Sequence, residues 1–452
     1  MSLETIILAA GKGTRMKSKL PKVLHKVGGK PMLQHVIDAT KKAGSSREVV
    51  IIGAGAELVE KKISGVEFVL QKEQLGTGHA VLSAREKFET SEGTVLILCG
   101  DTPLLTAELL KKFVAAHEIS NCAATVLTAK MPNPQGYGRV IHEEDGTFQK
   151  IVEEKDATED EKKIREVNAG VYCFDVKKLF GALEHVTNDN AQGEYYLPDV
   201  LPILKSSGEK VFTFAADYCD ETIGINSREQ LAAAERILRQ RKTLELMNSG
   251  VTIEDPHTTF IDVDVTIGQD TIIKPNTYLE GNTTIGSDCE IGPNVRFVNM
   301  KVGDNVTAQF SFCHDAEINN DVTLGPYVHI RPGTKVGDKV KIGNFVEVKN
   351  SNIGKGTKLP HLQYIGDSDV GENVNIGCGT VTCNYDGKTK YRTKIGDNVF
   401  VGCNTNLVAP VKVENGAYIA AGSTITKDVP KNNLAIARAR QTNIENWTDK
   451  RK

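Results

Sequence analysis

The chain has 452 residues, of which 40% are hydrophobic and 25% charged, and its formal net charge is −3. This length allows two or three domains, and the composition is typical of a globular protein. The near-neutral charge gives no overall field that would favour nucleic acid or an anionic membrane, so any bound anion needs a local site. The nine cysteines lack metal-ligand spacing, and the chain shows neither a signal-peptide pattern nor an apolar run of about 20 residues. We therefore expect a cytoplasmic protein.

Residues 1–226 alternate between strand patterns and helix patterns. Pro31–Ala43 has the apolar spacing of a helix, with proline at its start and Gly44 just past its end. Asp145-Gly146 separates two β-rich segments and predicts a hairpin. The strand candidates are short continuous apolar runs, as in strands buried on both faces: Thr5–Ile7, Val49–Ile52 and Thr94–Leu98. This half is predicted to be an α/β domain with a mostly parallel sheet.

A glycine-rich turn, LAAGKGTRM at residues 8–16, directly follows the first predicted strand. Met16 stands where a dinucleotide-binding fingerprint needs its third glycine, and the GK[ST] of a Walker A loop is absent. Two glycines still allow backbone N–H groups to approach phosphate oxygens closely. The turn therefore predicts a nucleotide-phosphate site, with a purely structural turn as the alternative.

Charged residues suited to a nucleotide follow this turn. Lys12, Arg15 and Lys22 supply three cations within a short stretch. Asp101 comes directly after the predicted strand at residues 94–99, at the edge where α/β sheets bind ligands. A carboxylate there is a hard oxygen ligand of the kind that Mg²⁺ prefers. The pattern thus predicts phosphate and Mg²⁺ at one edge of the sheet.

A connecting helix is predicted over residues 227–249. Ser227 and Gln230 have the spacing of a capping box, in which each side chain bonds the backbone N–H of the other residue. Leu231, Ala234 and Leu238 recur at helical spacing, and a glycine follows at residue 250. This helix separates two regions with different periodicities.

After residue 250 the aliphatic residues recur every six positions, often followed by glycine. Neither a helix nor an ordinary strand has this period, whereas a triangular coil with one residue of each six pointing inwards does. Flat end faces of such a prism are poorly covered, which predicts oligomerisation. Two runs keep the register: Ile318, Leu324, Ile330, Val336, Ile342 and Val348, and then Ile395, Val401, Leu407, Val413, Ile419 and Ile425.

Two segments interrupt the six-residue period, His361–Asp367 and Cys383–Arg392. Because an insertion in a solenoid maps to a surface loop, we expect both segments to be loops that carry binding residues.

Motifs in both halves resemble a known family. Those of the first half are similar to sugar-1-phosphate uridylyltransferases, and those of the second to CoA-dependent acetyltransferases. In this order they resemble the bacterial bifunctional uridylyltransferase–acetyltransferase family of UDP-N-acetylglucosamine synthesis. The matching stretches are LAAGKGTRM, residues 20–24, 71–80, 100–101, 136–139 and 190–196, then 331–333, 344–349, 361–366 and 384–387.

The resemblance implies a Rossmann-like α/β nucleotidyltransferase domain at 1–226, the linker helix at 227–249, a left-handed parallel β-helix at 250–437 and a tail at 438–452. It also implies a homotrimer with acetyltransferase sites between subunits. Acetyl-CoA would acetylate glucosamine 1-phosphate in the second domain. UTP would then uridylylate N-acetylglucosamine 1-phosphate in the first domain with Mg²⁺ as cofactor. The expected partners are these small molecules, with no nucleic acid and no membrane.

For uridylyl transfer, the resemblance implies that Arg15 and Lys22 act as catalytic residues on the phosphates. Asp101 and Asn226 would hold Mg²⁺. Glu153 lies in a charged run, so a solvated surface position is the alternative for this residue. The full set implied to bind UTP or the UDP-sugar is Leu8, Ala9, Ala10, Gly11, Lys22, Gln71, Gly76, Thr77, Gly138, Glu153, Asn168 and Asn226.

For acetyl transfer, a base near neutrality helps because only the unprotonated amine is nucleophilic, and histidine is suited to this role. The resemblance implies His361 as this base and Asn384 as a second catalytic residue. Glucosamine phosphate would bind at Arg331, Lys349, Tyr364 and Asn375. The residues implied for acetyl-CoA are Cys378, Asn384, Tyr385, Cys403, Ala421 and Arg438, of which the two cysteines stand where the family often has alanine and serine.

Two alternatives remain at this stage. One is another sugar-1-phosphate nucleotidyltransferase, using dTTP, GTP or ATP, whose β-helix is only structural or regulatory. The other is a non-catalytic regulatory subunit with the same two-domain plan. The second alternative predicts loss of Asp101 or of the basic residues in the glycine turn, and this chain retains them.

Overall fold

A computed structural model describes residues 2–451. The chain divides into two compact units, Met1–Leu238 and Arg239–Lys452, each with its own core. Within the part of the chain described, no helix is long and apolar enough to cross a membrane.

The first unit consists of a twisted sheet with helices on both faces. Its strands are β1 (Leu3–Ala9), β2 (Lys26–Val27), β3 (Lys30–Pro31), β4 (Glu48–Ile52), β5 (Glu67–Leu70), β6 (Thr94–Cys99), β7 (Ala124–Lys130), β8 (Arg139–His142), β9 (Phe148–Val152), β10 (Glu166–Asp175) and β11 (Val211–Ala215). Its helices are α1 (Met32–Ala43), α2 (Ala56–Lys62), α3 (Thr77–Leu82), α4 (Ala107–Ser120), α5 (Val176–Leu183) and α6 (Val200–Ser206), and α7 (Arg228–Asn248) begins in this unit.

The main sheet has the order β11-β7-β10-β6-β1-β4-β5. Only β10 runs antiparallel to its neighbours along this path. In the predicted hairpin, β8 pairs with β9 and also with β10. Alternate residues of the central strands enter two separate cores. Ile6 and Ile97 pack on one face, and Ile7 and Leu98 on the other. The predicted α/β domain with a mostly parallel sheet is therefore confirmed.

Helix boundaries follow the local chemistry closely. Helix α1 begins at Met32, one residue later than predicted, because Pro31 pairs with Lys26 in a short β-ladder. Gly44 ends it with a φ of 102°, a conformation that glycine adopts without strain. The capping box at α7 is confirmed: Gln230 N–H donates to Ser227 Oγ at 3.2 Å, and Ser227 N–H donates to Gln230 Oε1 at 3.1 Å.

The second unit is a stack of short parallel strands. They are β12 (Thr252–Ile253), β13 (Phe260–Ile261), β14 (Thr266–Ile267), β15 (Ile272–Ile273), β16 (Tyr278–Glu280), β17 (Thr284–Ile285), β18 (Glu290–Ile291), β19 (Arg296–Val298), β20 (Lys301–Val302), β21 (Thr307–Ala308), β22 (Phe312–His314), β23 (Glu317–Ile318), β24 (Thr323–Leu324), β25 (His329–Ile330), β26 (Lys335–Val336), β27 (Lys341–Lys349), β28 (Asn352–Ile353), β29 (Lys358–Gly366), β30 (Ser368–Val370), β31 (Asn375–Ile376), β32 (Val381–Cys383), β33 (Thr393–Ile395), β34 (Phe400–Val401), β35 (Asn406–Val408), β36 (Val411–Val413), β37 (Tyr418–Ile419), β38 (Thr424–Ile425) and β39 (Leu434–Ala435).

Each coil of this β-helix buries its aliphatic residues. All twelve aliphatic residues of the two predicted runs are buried in one continuous core, which confirms the six-residue period. Strands pair with the next coil 16 to 18 residues further on through most of the stack, as in Ile395 with Val413. Asparagine and aspartate hold many left-handed corners, among them Asn305, Asp321 and Asn398, because their short polar side chains tolerate positive φ.

The two interruptions of the period behave differently. His361–Gly366 does not form the predicted surface loop, because it lies in the nine-residue strand β29, which pairs with β27. That coil is simply one residue shorter than the 18-residue coils, so no segment is extruded. Cys383–Arg392 does contain the predicted loop. The coil there lengthens, so that Val381 pairs with Asn406, 25 residues further on.

Candidate functional sites

A cavity of about 500 Å³ lies at the carboxyl edge of the sheet in the first unit. Residues 8–11 enter it from the end of β1, Gln71 follows β5, and Asp101 follows β6. This edge is where doubly wound sheets bind ligands, because neighbouring crossovers diverge there and leave a crevice. Of the residues predicted for UTP, the cavity lining includes Leu8, Ala9, Ala10, Gly11, Lys22, Gln71, Gly76 and Thr77.

The glycine turn is shaped by its contact with Lys22. Gly13 has a φ of 58°, and a Cβ at this position would lie 2.6 Å from the Cβ of Lys22. Glycine is therefore required both for the backbone conformation and for the close approach. This packing places the turn beside the Lys22 side chain.

The Lys22 ammonium lies between two oxygen-bearing side chains. It forms an ion pair with Asp101, and its Nζ is 2.9 Å from Asn226 Oδ1. The backbone supports this arrangement because Ile225 N–H donates to the Asp101 carbonyl at 2.9 Å, next to Asn226. The fold thus joins residues from the glycine turn, the end of β6 and the start of α7.

Gly138, Glu153 and Asn168 form a second group outside the cavity lining. A Cβ on Gly138 would lie 3.1 Å from Glu153 Oε1, and Asn168 N–H donates to the Gly138 carbonyl at 2.9 Å. Burial, together with the carboxylates of Asp156 and Asp199, raises the pKa of Glu153. Glu153 is half-buried, so it is not a fully solvated surface residue.

Cys99 links this second group to the cavity. The cysteine lines the cavity, and burial, with the carboxylates of Asp101 and Glu153, raises the pKa of its thiol to about 12. The thiol therefore stays neutral. Both carboxylates thus act on one thiol that lines the cavity.

The lining differs from the prediction at its rim. Arg15 is exposed and is not among the lining residues, whereas Lys12 is. Gln74 and Glu194 also line the cavity and were missed. The stretches at residues 71–80 and 190–196 contain them, but no pattern in the sequence distinguishes them from their neighbours.

In the second unit, a polar cluster surrounds the buried carboxylate of Asp367. Asn350 Nδ2 donates to it at 2.6 Å, Asn384 Nδ2 donates to its other oxygen, and Lys349 Nζ lies 3.4 Å away. Burial alone would raise the pKa of Asp367, but the two amide donors and the ammonium outweigh it and lower that pKa. Tyr364 Oη lies 3.5 Å from Asn384 Nδ2, at the margin of the same cluster.

Lys390 brings a further cation to this cluster and was missed in the sequence. Lys390 lies in contact with Lys349, whose pKa the carboxylate of Asp367 raises. The same contact lowers the pKa of Lys390, and the charge of Arg331 adds to this effect. Arg331 itself pairs with Glu347 at 2.8 Å. The sequence feature that could have indicated Lys390 is the interruption of the six-residue period at residues 383–392, because Lys390 lies within it.

Four of the predicted acetyltransferase residues lie in one column, with one residue on each successive coil. Backbone hydrogen bonds place these positions on neighbouring coils. Gly379 N–H donates to the Leu362 carbonyl at 2.9 Å, Asn404 N–H to the Cys378 carbonyl at 2.7 Å, and Gly422 N–H to the Cys403 carbonyl at 2.8 Å. Arg438 lies beside the end of this column, because its Cδ would be 3.9 Å from a Cβ on Gly422. We refer to His361, Cys378, Cys403 and Ala421 as the coil column.

Among residues 2–451, no side-chain hydrogen bond links the coil column to the Asp367 cluster within one chain. His361 is exposed and forms no side-chain hydrogen bond to another residue in the range 2–451. Asn375 pairs with Lys358 on the preceding coil rather than with the cluster, and the exposed Tyr385 donates its hydroxyl to the Gly387 carbonyl at 2.7 Å. The structure thus brings together Lys349, Tyr364 and Asn384, but not the predicted base.

Comparison with known proteins agrees with the two folds. Residues 5–196 match the model of the MobA-like NTP transferase domain, and residues 264–299, 315–350 and 392–427 match that of the bacterial transferase hexapeptide (six repeats). A crystal structure of UDP-glucose pyrophosphorylase complexed with UDP-glucose matches 53% of this chain, at 18% identity and a TM-score of 0.45, which is too weak to bear on function.

Full-length relatives are much more similar. A protein of Geobacillus sp. (strain WCH70) is 54% identical over 98% of this chain and 97% of its own length. One from Halalkalibacterium halodurans is 52% identical over 99% and 98%, and one from Listeria monocytogenes serotype 4b is 52% identical over 97% and 96%. All three are described as bifunctional protein GlmU.

The two folds and their sites define a two-domain transferase, in which a nucleotidyltransferase is followed by a left-handed parallel β-helix of the hexapeptide acyltransferase type. The chain belongs to the GlmU family of bifunctional proteins. It is an enzyme of UDP-N-acetylglucosamine synthesis that transfers acetyl from acetyl-CoA to glucosamine 1-phosphate and uridylyl from UTP to N-acetylglucosamine 1-phosphate. A nucleotidyltransferase with a purely structural β-helix is therefore not supported.

Proposed function

We propose that the 500 Å³ cavity is the uridylyl-transfer site. The observation that carries this proposal is the Lys22 ammonium, which lies between Asp101 and Asn226 at the sheet edge. The phosphate oxygen of N-acetylglucosamine 1-phosphate attacks the α-phosphorus of UTP, and the bond to pyrophosphate breaks. Both reactants are anions, so the barrier depends on charge neutralisation and alignment rather than on a protein nucleophile.

The uridine occupies the part of the cavity lined by residues 8–11, Gln71, Gly76 and Thr77. A side-chain amide and backbone groups there can pair with the edge of the base. Lys22 and Arg15 bind the phosphates as catalytic residues, and the exposed position of Arg15 allows it to reach a ligand at the rim. Gly138, Glu153 and Asn168 hold the sugar, for which the half-buried Glu153 supplies a hydroxyl acceptor.

Mg²⁺ is the proposed cofactor, held by Asp101 and Asn226. Among residues 2–451, no group of three or more histidine, cysteine, aspartate or glutamate side chains could hold a metal ion. The donor set fits Mg²⁺, because it consists of two hard oxygens that already face a cation, the Lys22 ammonium. When bound, Mg²⁺ supplies charge neutralisation at the phosphates.

In the second unit, Arg331, Lys349 and Lys390 bind the phosphate of glucosamine 1-phosphate. Lys349 and Lys390 lie at the buried carboxylate of Asp367, and the charge of Arg331, which pairs with Glu347, acts on Lys390. These cations give a local positive site in a chain whose net charge is −3. Tyr364 and Asn375 contact the sugar in this proposal. The Asn384 amide donates to Asp367, which leaves its carbonyl oxygen to orient the substrate.

The coil column binds acetyl-CoA, with Asn384, Tyr385 and Arg438 as further contacts. The amine of glucosamine 1-phosphate attacks the thioester carbonyl, the bond to sulfur breaks, and CoA leaves as the thiol. His361 takes the proton from the amine as general base. Cys378 and Cys403 are small enough to leave room for the pantetheine arm.

We further propose a cytoplasmic homotrimer, with functional boundaries at 1–226, 227–249, 250–437 and 438–452. In this proposal the acetyltransferase sites lie between subunits, and a neighbouring subunit contributes its coil column to the Asp367 cluster. Exposed stacked rings on the β-helix also favour a protein partner. Tyr327 stacks on Phe345 with ring centroids 5.2 Å apart, and Phe400 on Tyr418 at 4.5 Å.

One incubation tests both halves of this proposal. The protein is mixed with glucosamine 1-phosphate, acetyl-CoA, UTP and Mg²⁺, and free thiol and pyrophosphate are followed separately. We expect thiol release first and Mg²⁺-dependent pyrophosphate release afterwards. Release of neither product overturns the assignment, and a fully active monomer in sedimentation experiments overturns the intersubunit site.

A further inference from the structure

The side-chain amide of Gln71 is held by two acceptors. Gln71 is buried at the end of β5 and lines the nucleotide cavity. Its Nε2 lies 3.1 Å from the Gly76 carbonyl oxygen and 3.0 Å from His79 Nδ1. A carbonyl oxygen can only accept, so the Gln71 atom that faces it is the amide nitrogen. His79 Nδ1 must then accept as well, and the ring proton of the neutral histidine lies on Nε2.

These contacts leave the Gln71 side chain only one way to form a hydrogen bond with a nucleobase. Both amide hydrogens are used by Gly76 and His79, so only the Oε1 acceptor is free to face the cavity. Uracil has an N–H donor at N3, whereas cytosine has a bare nitrogen there. The Gln71 Oε1 acceptor can therefore bind the N3–H of uracil, whereas the lone pair on N3 of cytosine repels it.

We infer that His79 is a positioning residue that orients the Gln71 amide, and that this orientation makes the nucleotidyl site select uracil over cytosine. The inference rests on the proposed binding of uridine at Gln71. Thymine carries the same N3–H as uracil, so this contact does not separate UTP from dTTP. The selectivity against CTP is thus the specific property that His79 controls.

The surroundings of His79 suit a positioning role. His79 lies in α3 outside the lining of the nucleotide cavity, and it lines a separate, mostly apolar cavity of about 260 Å³ with Leu75 and Leu82. The start of α3 is fixed in place, because Gly78 N–H donates to the Tyr195 carbonyl at 2.8 Å. Gly76 has a φ of 113°, and a Cβ there would lie 2.5 Å from the Tyr195 carbonyl oxygen. The backbone at Gly76, which carries the second acceptor for the Gln71 amide, is therefore closely packed.

The test compares two nearly isosteric variants, His79→Leu and His79→Asn. Asparagine places an oxygen where Nδ1 of histidine lies, whereas leucine has no acceptor there. Pyrophosphate release gives kcat/KM for UTP, CTP and dTTP. We expect the UTP/CTP ratio to fall about tenfold in His79→Leu, the value of one neutral hydrogen bond, and to be largely restored in His79→Asn. The UTP/dTTP ratio should stay unchanged in both variants.

A substrate analogue tests the same inference in the unaltered protein. 3-Methyluridine triphosphate lacks the N3–H, so it should be used as poorly as CTP. An unaltered protein that uses this analogue as well as UTP overturns the inference, even if the His79→Leu variant does not fold. An unchanged UTP/CTP ratio in a folded His79→Leu variant also overturns it.

Failure of the proposed function gives a different result. In that case the unaltered protein releases no pyrophosphate from UTP and the sugar phosphate. Acetyl transfer, measured in the same samples as thiol release, reports that the second unit is intact.

Discussion

The two candidate sites of this protein have opposite arrangements of charge. In the α/β unit, one ammonium, that of Lys22, lies between the oxygens of Asp101 and Asn226. In the β-helix, one carboxylate, that of Asp367, is surrounded by the donors of Asn350, Asn384 and Lys349. The first arrangement presents oxygens to a cation, and the second arranges amide donors and a cation around a carboxylate.

The two sites also differ in how the chain assembles them. The nucleotide cavity joins residues from the first strand to the start of α7, which the sheet order brings to one edge. The acetyltransferase residues come from neighbouring coils, where each contact lies about one coil length away along the chain. A solenoid therefore builds a site by register, whereas an open sheet builds one by topology. Since the two cores are separate, we expect that a substitution can inactivate either site without affecting the activity of the other.

Replacing the proposed base should produce the largest effect. His361→Ala removes the general base, and we expect acetyl transfer to fall about 10²–10⁴-fold. Uridylyl transfer from supplied N-acetylglucosamine 1-phosphate should be retained, because the first unit has its own core. Thiol release and pyrophosphate release measure the two rates. Loss of both activities in a folded His361→Ala protein would contradict the two-site interpretation.

Asp101→Ala should produce the opposite pattern. The variant removes one oxygen ligand from the proposed Mg²⁺ site and leaves Lys22 with Asn226 alone. We expect uridylyl transfer to fall about 10²–10³-fold through lost charge stabilisation, with acetyl transfer unaffected. The matched control is Asp145→Ala, at an exposed turn of the same unit. Equal losses in both variants would show that Asp101 has no specific role.

Lys390→Ala sharpens the comparison within the second unit. We expect KM for glucosamine 1-phosphate to rise about tenfold, because one phosphate contact is lost and Lys349 remains. Lys388→Ala is the control, since its exposed side chain lies in the same loop without the contact to Lys349. Steady-state kinetics of thiol release measures KM for glucosamine 1-phosphate in both variants. Similar KM values for the two variants would remove Lys390 from the phosphate site.

The smallest effect concerns pH. Burial raises the pKa of Glu153, so this carboxyl takes up a proton at a higher pH than an ordinary glutamate. As pH falls through that raised pKa, the carboxylate acceptor is lost and KM for N-acetylglucosamine 1-phosphate should rise a few-fold. Glu153→Gln should show a higher KM at neutral pH and a flatter pH profile. A profile that is identical in the variant would mean that Glu153 does not bind the sugar.

Much of the fold could be predicted from local patterns. The six-residue period of the β-helix, the capping box at Ser227 and the glycine turn all depend on residues near each other in the chain. The α1 start was displaced by one residue because Pro31 pairs with a strand. The expected loop at His361–Gly366 is a strand, since shortening a coil by one residue preserves its pairing with β27.

The sites were less accessible to prediction. Lys22 and Asp101 were predicted from the pattern around the glycine turn and the strand end, whereas Lys349 was found through resemblance. The roles of all three stay predictions. Lys390 was missed because nothing local separates it from the other lysines of its loop, and only the fold puts it against Lys349. In the sequence, Glu153 lies in a run of charged residues, which is typical of a solvated surface. In the fold it directly follows β9 and is half-buried.

The sequence by itself determined the two architectures, because periodicity, caps and tight turns depend on the hydrophobicity and backbone preferences of neighbouring residues. Only the tertiary structure decided which distant groups meet. Sheet order brings Asn226 to Lys22, the lengthened coil brings Lys390 to Lys349, and α3 turns His79 onto the Gln71 amide. Such contacts depend on chain topology, which short-range preferences do not specify.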